Sequence, residues 1–93
     1  MESYTYPSVS MGRNLLTPSE RARGKKLGRT VALLRKRQAL TQSELAIRAS
    51  VDLDWLRAME RGLYAHPSVF TVIAVARAMH ASVEQLLVRR GRS

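Results

Sequence analysis

The sequence predicts an all-α fold of five helices behind an N-terminal tail. Three observations carry that expectation. Residues that cap helix N-termini stand ahead of short amphipathic runs, at Thr17, Thr41, Asp52, Ser68 and Ser82. Apolar residues within the runs recur at helical spacing. The stretch from Thr41 to Gly62 reads as two short helices joined by a tight turn, on a chain of formal net charge +9.

Residues 1–16 show no helical period. Ser, Thr, Tyr and Pro7 dominate the first ten positions, while Tyr4, Tyr6, Val9 and Met11 fall near alternate positions. The segment is therefore expected to be either a flexible terminus or an extended arm. Helix one opens at Thr17-Pro18-Ser19-Glu20, where Thr17 caps, Pro18 fits the first helical position and Glu20 completes a capping box. Leu27, Val31 and Leu34 supply its buried stripe, and it should end near Gln38. Gly24 and Gly28 each weaken it by up to about 1 kcal/mol relative to alanine, and Gly24 is the candidate point for a break.

Helix two should run from about Gln42 to Ala49, with Thr41 and Glu44 forming its capping box. Helix three should run from about Leu53 to Arg61, with Gly62 ending it in the left-handed conformation. Leu45, Ala49, Val51, Leu56 and Met59 are the positions this pair turns inward, and Ala46 lets the two backbones approach where they cross. Leu63 to Pro67 is a loop. Ser68 caps helix four, whose apolar positions include Val69, Val72, Ile73, Ala76 and Met79. Ser82 caps helix five, with Val83, Leu86 and Leu87 on its inner face. The domain thus spans 17–88, and residues 89–93 form a basic tail with Arg89, Arg90 and Arg92.

Ninety-three residues suffice for one domain with one modest core. One Trp and one Phe leave most of that core to aliphatic residues. Sixteen basic residues against seven acidic ones suit a polyanionic partner. The absence of cysteine excludes disulfides and thiolate metal sites. No apolar run approaches the roughly 18 residues of a membrane span. The first residues, with Glu2 and two tyrosines, do not resemble a signal segment. The expected location is the cytoplasm, nucleoid-associated when DNA is bound. His66 and His80 lack the partners a metal site needs, and no nucleophile–base set or Gly-rich phosphate loop appears. No metal, cofactor or enzymatic activity is expected.

From Lys26 to Leu87 the pattern resembles the phage-repressor-like helix-turn-helix family, the Cro/repressor or xenobiotic-response-element type, whose domain is that of lambda repressor. The residues that carry the resemblance are Leu34-Arg35, Leu40-Thr41-Gln42, Glu44-Leu45-Ala46, Glu60-Arg61-Gly62, Pro67-Ser68 and Ala76-Arg77-Ala78-Met79. The resemblance implies five helices around one core, helix three in the major groove, and two-fold dimers on palindromic sites. It assigns Gln42 a phosphate contact that also braces the recognition helix, and it matches Arg35 and Glu60 to a structural ion pair. Two departures stand out. Ser50 occupies a turn position that is usually glycine, and Leu53, Asp54 and Ala58 stand where that family often has Gln, Ser, Thr or Arg.

On that basis the expected function is sequence-specific binding of double-stranded DNA by a homodimeric transcriptional regulator, a repressor in the simplest case. Small stand-alone members of that family include phage repressors, restriction–modification controller proteins and antitoxins, and the resemblance fits all three. The candidate base contacts are Leu53, Asp54, Arg57 and Ala58, on the face of helix three away from Leu56 and Met59. An arginine forks onto guanine, leucine and alanine meet a thymine methyl, and an aspartate accepts from cytosine. The bland reading of the same face is a solvated surface with an Asp54–Arg57 pair.

The candidate phosphate contacts are Thr41, Gln42 and Ser43, at a helix N-terminus that favours anions, and Tyr64 and His66 in the following loop. That loop packing on its own domain is the other reading. The basic run from Arg21 to Arg37 is either a solvated face or a further phosphate surface. Trp55 is expected at the core edge, with a groove or protein contact as the alternative. Val83, Leu86 and Leu87 are the candidate dimer interface, since helix five carries more apolar surface than one short helix needs. Two rival functions are an adaptor that binds protein through the helix-turn-helix face, motivated by Leu53-Asp54-Trp55, and a low-specificity architectural DNA binder.

Overall fold

A computed structural model describes residues 16–87, and five α-helices and no strand lie among them. They are α1 (Pro18–Arg37), α2 (Gln42–Ala49), α3 (Leu53–Glu60), α4 (Val69–Ala78) and α5 (Val83–Leu87). The expected arm, apart from Leu16, lies outside the described residues, as do Val88 and the basic tail.

Each helix starts where its capping side chain stands. Thr17 Oγ1 accepts from the Glu20 N–H at 3.1 Å, and Glu20 Oε1 accepts from the Thr17 N–H at 2.8 Å. Thr41 and Glu44 repeat the arrangement at 3.0 and 2.8 Å. Asp52 Oδ2 accepts from the Trp55 N–H, and Ser68 Oγ from that of Phe70. Ser82 and Gln85 form a third reciprocal box, at 3.1 and 2.8 Å, which the sequence reading treated as a simple cap.

The first four helices also end alike. A residue in the left-handed region follows each one: Ala39 (φ 57°), Ser50 (φ 57°), Gly62 (φ 84°) and His80 (φ 55°). The next N–H reaches back five residues, from Leu40 to Arg35, Val51 to Ala46, Leu63 to Ala58 and Ala81 to Ala76. This closes the last turn and satisfies a terminal carbonyl. Three of the four positions carry a side chain, which costs on the order of 1 kcal/mol at each. At Gly62 a side chain is barred for a second reason, since a Cβ there would meet the Lys25 backbone at 2.8 Å.

Val31, Leu45, Leu56, Met59 and Val75 are fully buried, and Leu27, Leu40, Ala46, Ala49, Val72, Ala76, Met79 and Leu86 complete the core. Two expectations need correction. On α4 the buried stripe is Val72, Val75, Ala76 and Met79, whereas Val69 is 57% exposed and Ile73 half-buried. Both sets share the spacing i, i+3, i+4, i+7, and packing of α4 on α2 selects the one displaced toward the C-terminus. On α5, Leu86 is buried but Leu87 is 55% exposed, because the short helix turns a single leucine inward.

α1 runs unbroken through Gly24, and the glycines have a different use. A Cβ on Gly28 would lie 2.5 Å from the Met59 carbonyl oxygen and 2.7 Å from that of Glu60. One on Gly24 would lie 2.8 Å from the Gly62 carbonyl oxygen. α1 therefore packs on the end of α3 with backbone against backbone. Gln38 Nε2 donates to the Met79 carbonyl at 2.6 Å and joins the end of α1 to the end of α4.

Gly28→Ala should consequently destabilise the domain by about 1–3 kcal/mol. At an open helical site the same change stabilises by up to about 1 kcal/mol. Urea unfolding of the variant and parent reads the sign. A variant more stable than the parent would show that α1 and α3 have room to spare.

Candidate functional site

Glu60, the last residue of α3, is the point where three helices meet. Its carboxylate accepts from Arg35 Nε at 2.6 Å and from Arg35 Nη2 at 2.9 Å, a two-pronged pair with α1. Gln42 Nε2, at the start of α2, donates to Glu60 Oε1 at 3.0 Å. The third arm of Arg35 donates from Nη1 to the Leu40 carbonyl at 2.8 Å, which holds the loop between α1 and α2. Both charged side chains are about nine-tenths buried. The bond to Glu60 pushes the Arg35 guanidinium further above its ordinary value, so Arg35 keeps its charge.

This junction sets the N-terminus of α2 beside α3. The N–H groups of Gln42 and Ser43 belong to a first helical turn, where no intrahelical acceptor exists. Ser43 is exposed and Gln42 half-buried, while Thr41 is occupied in its capping box. That box also holds the Glu44 carboxyl below its usual range, through the Thr41 backbone first and its hydroxyl second.

The outer face of α3 is narrower than its sequence suggested. Asp54, Arg57 and Arg61 are exposed, and Arg57 Nη1 lies 3.4 Å from Asp54 Oδ1. Leu53 and Ala58 are only half-exposed, because they flank that stripe on opposite sides. Leu53 packs against the core, next to α2. Trp55 is half-buried and stacks on Tyr64, with ring centroids 5.6 Å apart and planes 13° from parallel. The loop after α3 is thereby fastened to α3. His66 is engaged elsewhere, with Nε2 3.0 Å from Glu20 Oε2.

Among the candidate dimer residues, Leu86 is buried, Val83 is half-buried on the core and Leu87 is exposed. A buried Leu86 has no surface to offer a second copy.

Three features were not found from sequence. Ile47 on α2 is 78% exposed, although it adjoins Leu53. Its position two residues after the buried Leu45 was the available signal, since helical spacing turns that position outward. Phe70 is 79% exposed at the start of α4. The Glu20–His66 contact bridges 46 residues and left no local signal. Among the described residues no cluster of His, Cys, Asp or Glu could hold a metal ion, and no helix is long and apolar enough to cross a membrane.

The model of the family described as "Helix-turn-helix domain" matches residues 26–87, which include α2, the turn and α3. The chain belongs to that helix-turn-helix family. Its phage-repressor-like character is also visible in solved structures. The chain is similar to the restriction–modification controller protein C.AhdI from Aeromonas hydrophila, with 26% identity and a TM-score of 0.67, covering 70% of this chain and 97% of that one. SinR, described as the master regulator for biofilm formation and solved in complex with DNA, is 32% identical with a TM-score of 0.65, covering 67% and 98%. The clp gene regulator ClgR from C. glutamicum is 30% identical with a TM-score of 0.64, covering 76% and 87%. No curated protein sequence matches the chain. Within this helix-turn-helix unit, the Glu60 junction lies behind the exposed stripe of α3 and leaves that stripe free.

Removing Glu60 strands the Arg35 guanidinium in a buried site. Glu60→Ala should cost about 3–5 kcal/mol, a large share of the stability of a domain of this size. Thermal unfolding followed by circular dichroism checks it. Melting like the parent would mean that the junction carries no structural weight.

A second outcome concerns acid. The Thr17 backbone, then His66, holds Glu20 at about 2, down from 4.5. A depressed carboxyl contributes stability that is complete above its unfolded value and fades as pH falls toward the folded one. The loss should therefore appear between about 4.5 and about 2. Glu20→Gln keeps the cap without the charge and should flatten that part of a plot of stability against pH. An acid limb identical to the parent's would dissociate Glu20 from it.

Proposed function

We propose that this chain is a sequence-specific transcriptional regulator that binds double-stranded DNA as a homodimer on a two-fold-symmetric site, with α3 in the major groove. The observation that carries the reading is the exposed stripe of Asp54 and Arg57 on α3, continued by Arg61 just after it, set beside the open N-terminus of α2 on a chain of net charge +9. A helix of this width fits the major groove, and free N–H groups at a helix start suit a phosphate. The similarity to SinR, which has been solved with DNA, supports it.

In this reading, contacts divide by what they report. Thr41, Gln42 and Ser43 hold phosphates and fix register. Tyr64 and His66, braced by Trp55 and Glu20, border the same path. Arg57 reaches a base edge. Its pair with Asp54 is exposed and long, hence weak, and yields when a base offers two acceptors. Leu53 and Ala58 meet bases from the flanks of the stripe. Of the three candidate interface residues, Leu87 with the open side of Val83 remains available to a second copy. The adaptor reading draws little from the structure, because Leu53 and Trp55 are partly spent on packing.

Selection of bound duplexes from a random pool should yield a two-fold-symmetric site. On that site Arg57→Ala should lose about 1–3 kcal/mol and relax preference at one base pair of each half. Gln42→Ala should weaken all sequences alike, since phosphates carry no sequence information, with melting measured in parallel because Gln42 also binds Glu60. A parent that binds random duplex as well as any selected one, with a steep salt slope, would replace this reading with an architectural one. A parent that binds no duplex would favour the adaptor.

A further inference from the structure

Ile47 is the most exposed large aliphatic side chain among the described residues, at 78%. Core packing does not account for it, since Leu45, Ala46 and Ala49 already fill the inward positions of α2. With Ser43, Ala46, Ser50, Val51, Asp52 and Leu53 it lines a shallow open notch between α2 and the start of α3, most of whose exposed lining is apolar. Leu53 precedes Arg57 by four residues and shares its side of α3. The notch therefore adjoins the side chain proposed to read a base.

An apolar notch next to a DNA-reading arginine has one natural occupant. The edges of base pairs in the major groove present hydrogen-bond donors, acceptors and a single apolar group, the C5-methyl of a pyrimidine. We propose that Ile47, from α2, joins Leu53 to form a methyl-reading notch that takes the C5-methyl of a pyrimidine next to the base read by Arg57. The proposal rests on the DNA-binding reading above, and it makes Ile47 a specificity-determining residue outside the recognition helix.

The test replaces each thymine of the selected duplex, one at a time, with deoxyuridine. That change removes the methyl and leaves every hydrogen-bonding group in place. Affinities are read by fluorescence anisotropy at one salt concentration. The parent should lose roughly fourfold at one thymine per half-site, the worth of one buried methyl group. Ile47→Ala should bind the thymine and deoxyuridine duplexes equally. Its melting should match the parent's because the side chain is exposed, so a folding defect cannot imitate the result. Cytosine against 5-methylcytosine at the same position separates the two sources of the methyl. A gain on methylation assigns the notch to the methyl itself, and no gain restricts it to thymine. A parent indifferent to every deoxyuridine, or an Ile47→Ala variant that discriminates as the parent does, overturns the notch alone. A parent with no preferred duplex overturns the DNA-binding reading and the notch with it.

Discussion

The buried pair of Arg35 and Glu60 is the constraint on which the arrangement of the first three helices depends. Neither charge could be buried without the other, and each also satisfies groups beyond the pair. Arg35 holds the Leu40 carbonyl, and Glu60 takes the Gln42 amide, so α1, the following loop, α2 and α3 share one polar knot. The knot is compact because Gly28 lets the α1 backbone come within contact of the Met59 and Glu60 carbonyls. Buried ion pairs are poor sources of net stability compared with apolar residues of like size. What this one supplies is register. Sliding α1 along α3 by a single residue would separate the guanidinium from its carboxylate and drive a Cβ into backbone.

Register here has a functional consequence. α3 is held at its C-terminal end by Glu60 and along one flank by the Trp55–Tyr64 stack. Both restraints act from the sides or the rear of the helix, so Asp54, Arg57 and Arg61 stay free on the outer face. The same Glu60 carboxylate positions Gln42, which opens α2. The distance between the start of α2 and the outer face of α3 is thus set by one buried group. The proposed span from a phosphate to a base edge would need that kind of rigidity, because misplacement weakens charge-assisted hydrogen bonds steeply.

Much of this was legible in the sequence, for local reasons. Helix starts were readable because Thr17, Thr41, Asp52, Ser68 and Ser82 act on residues two or three positions away. The end of α1 was read near Gln38, which caps it, but the left-handed positions after α1 and α4 were not read. They are Ala39 and His80, which do not carry the usual glycine mark, although an apolar residue follows each of the four left-handed positions and was a usable cue. The inner face of α4 offered two stripes of equal spacing, and only the neighbour α2 distinguishes them. Gly24 and Gly28 read as helix weaknesses because the backbone they accommodate lies more than thirty residues away. The Arg35–Glu60 partners were named by resemblance, since nothing local joins residues 25 apart. Leu53 and Ala58 were assigned to an exposed face that is narrower than a helical wheel implies, because both flanks of α3 have neighbours.

The turn between α2 and α3 shows how departures from local rules should be weighed. Ser50 is left-handed without being glycine, and Ile47 is apolar without being buried. Local rules tend to be broken at functional sites, so either residue invites a functional reading. Ser50 does not merit one by itself. Ala39 and His80 break the same rule at the ends of α1 and α4, and the backbone bonds that close each helix explain all three. Ile47 is different. No neighbouring apolar side chain removes it from water, and a polar residue at that exposed helical position would serve folding as well. A contact from outside the domain would give that exposure a use. The notch it shares with Leu53, one helical turn from Arg57, would put such a contact on the face proposed to meet a major groove.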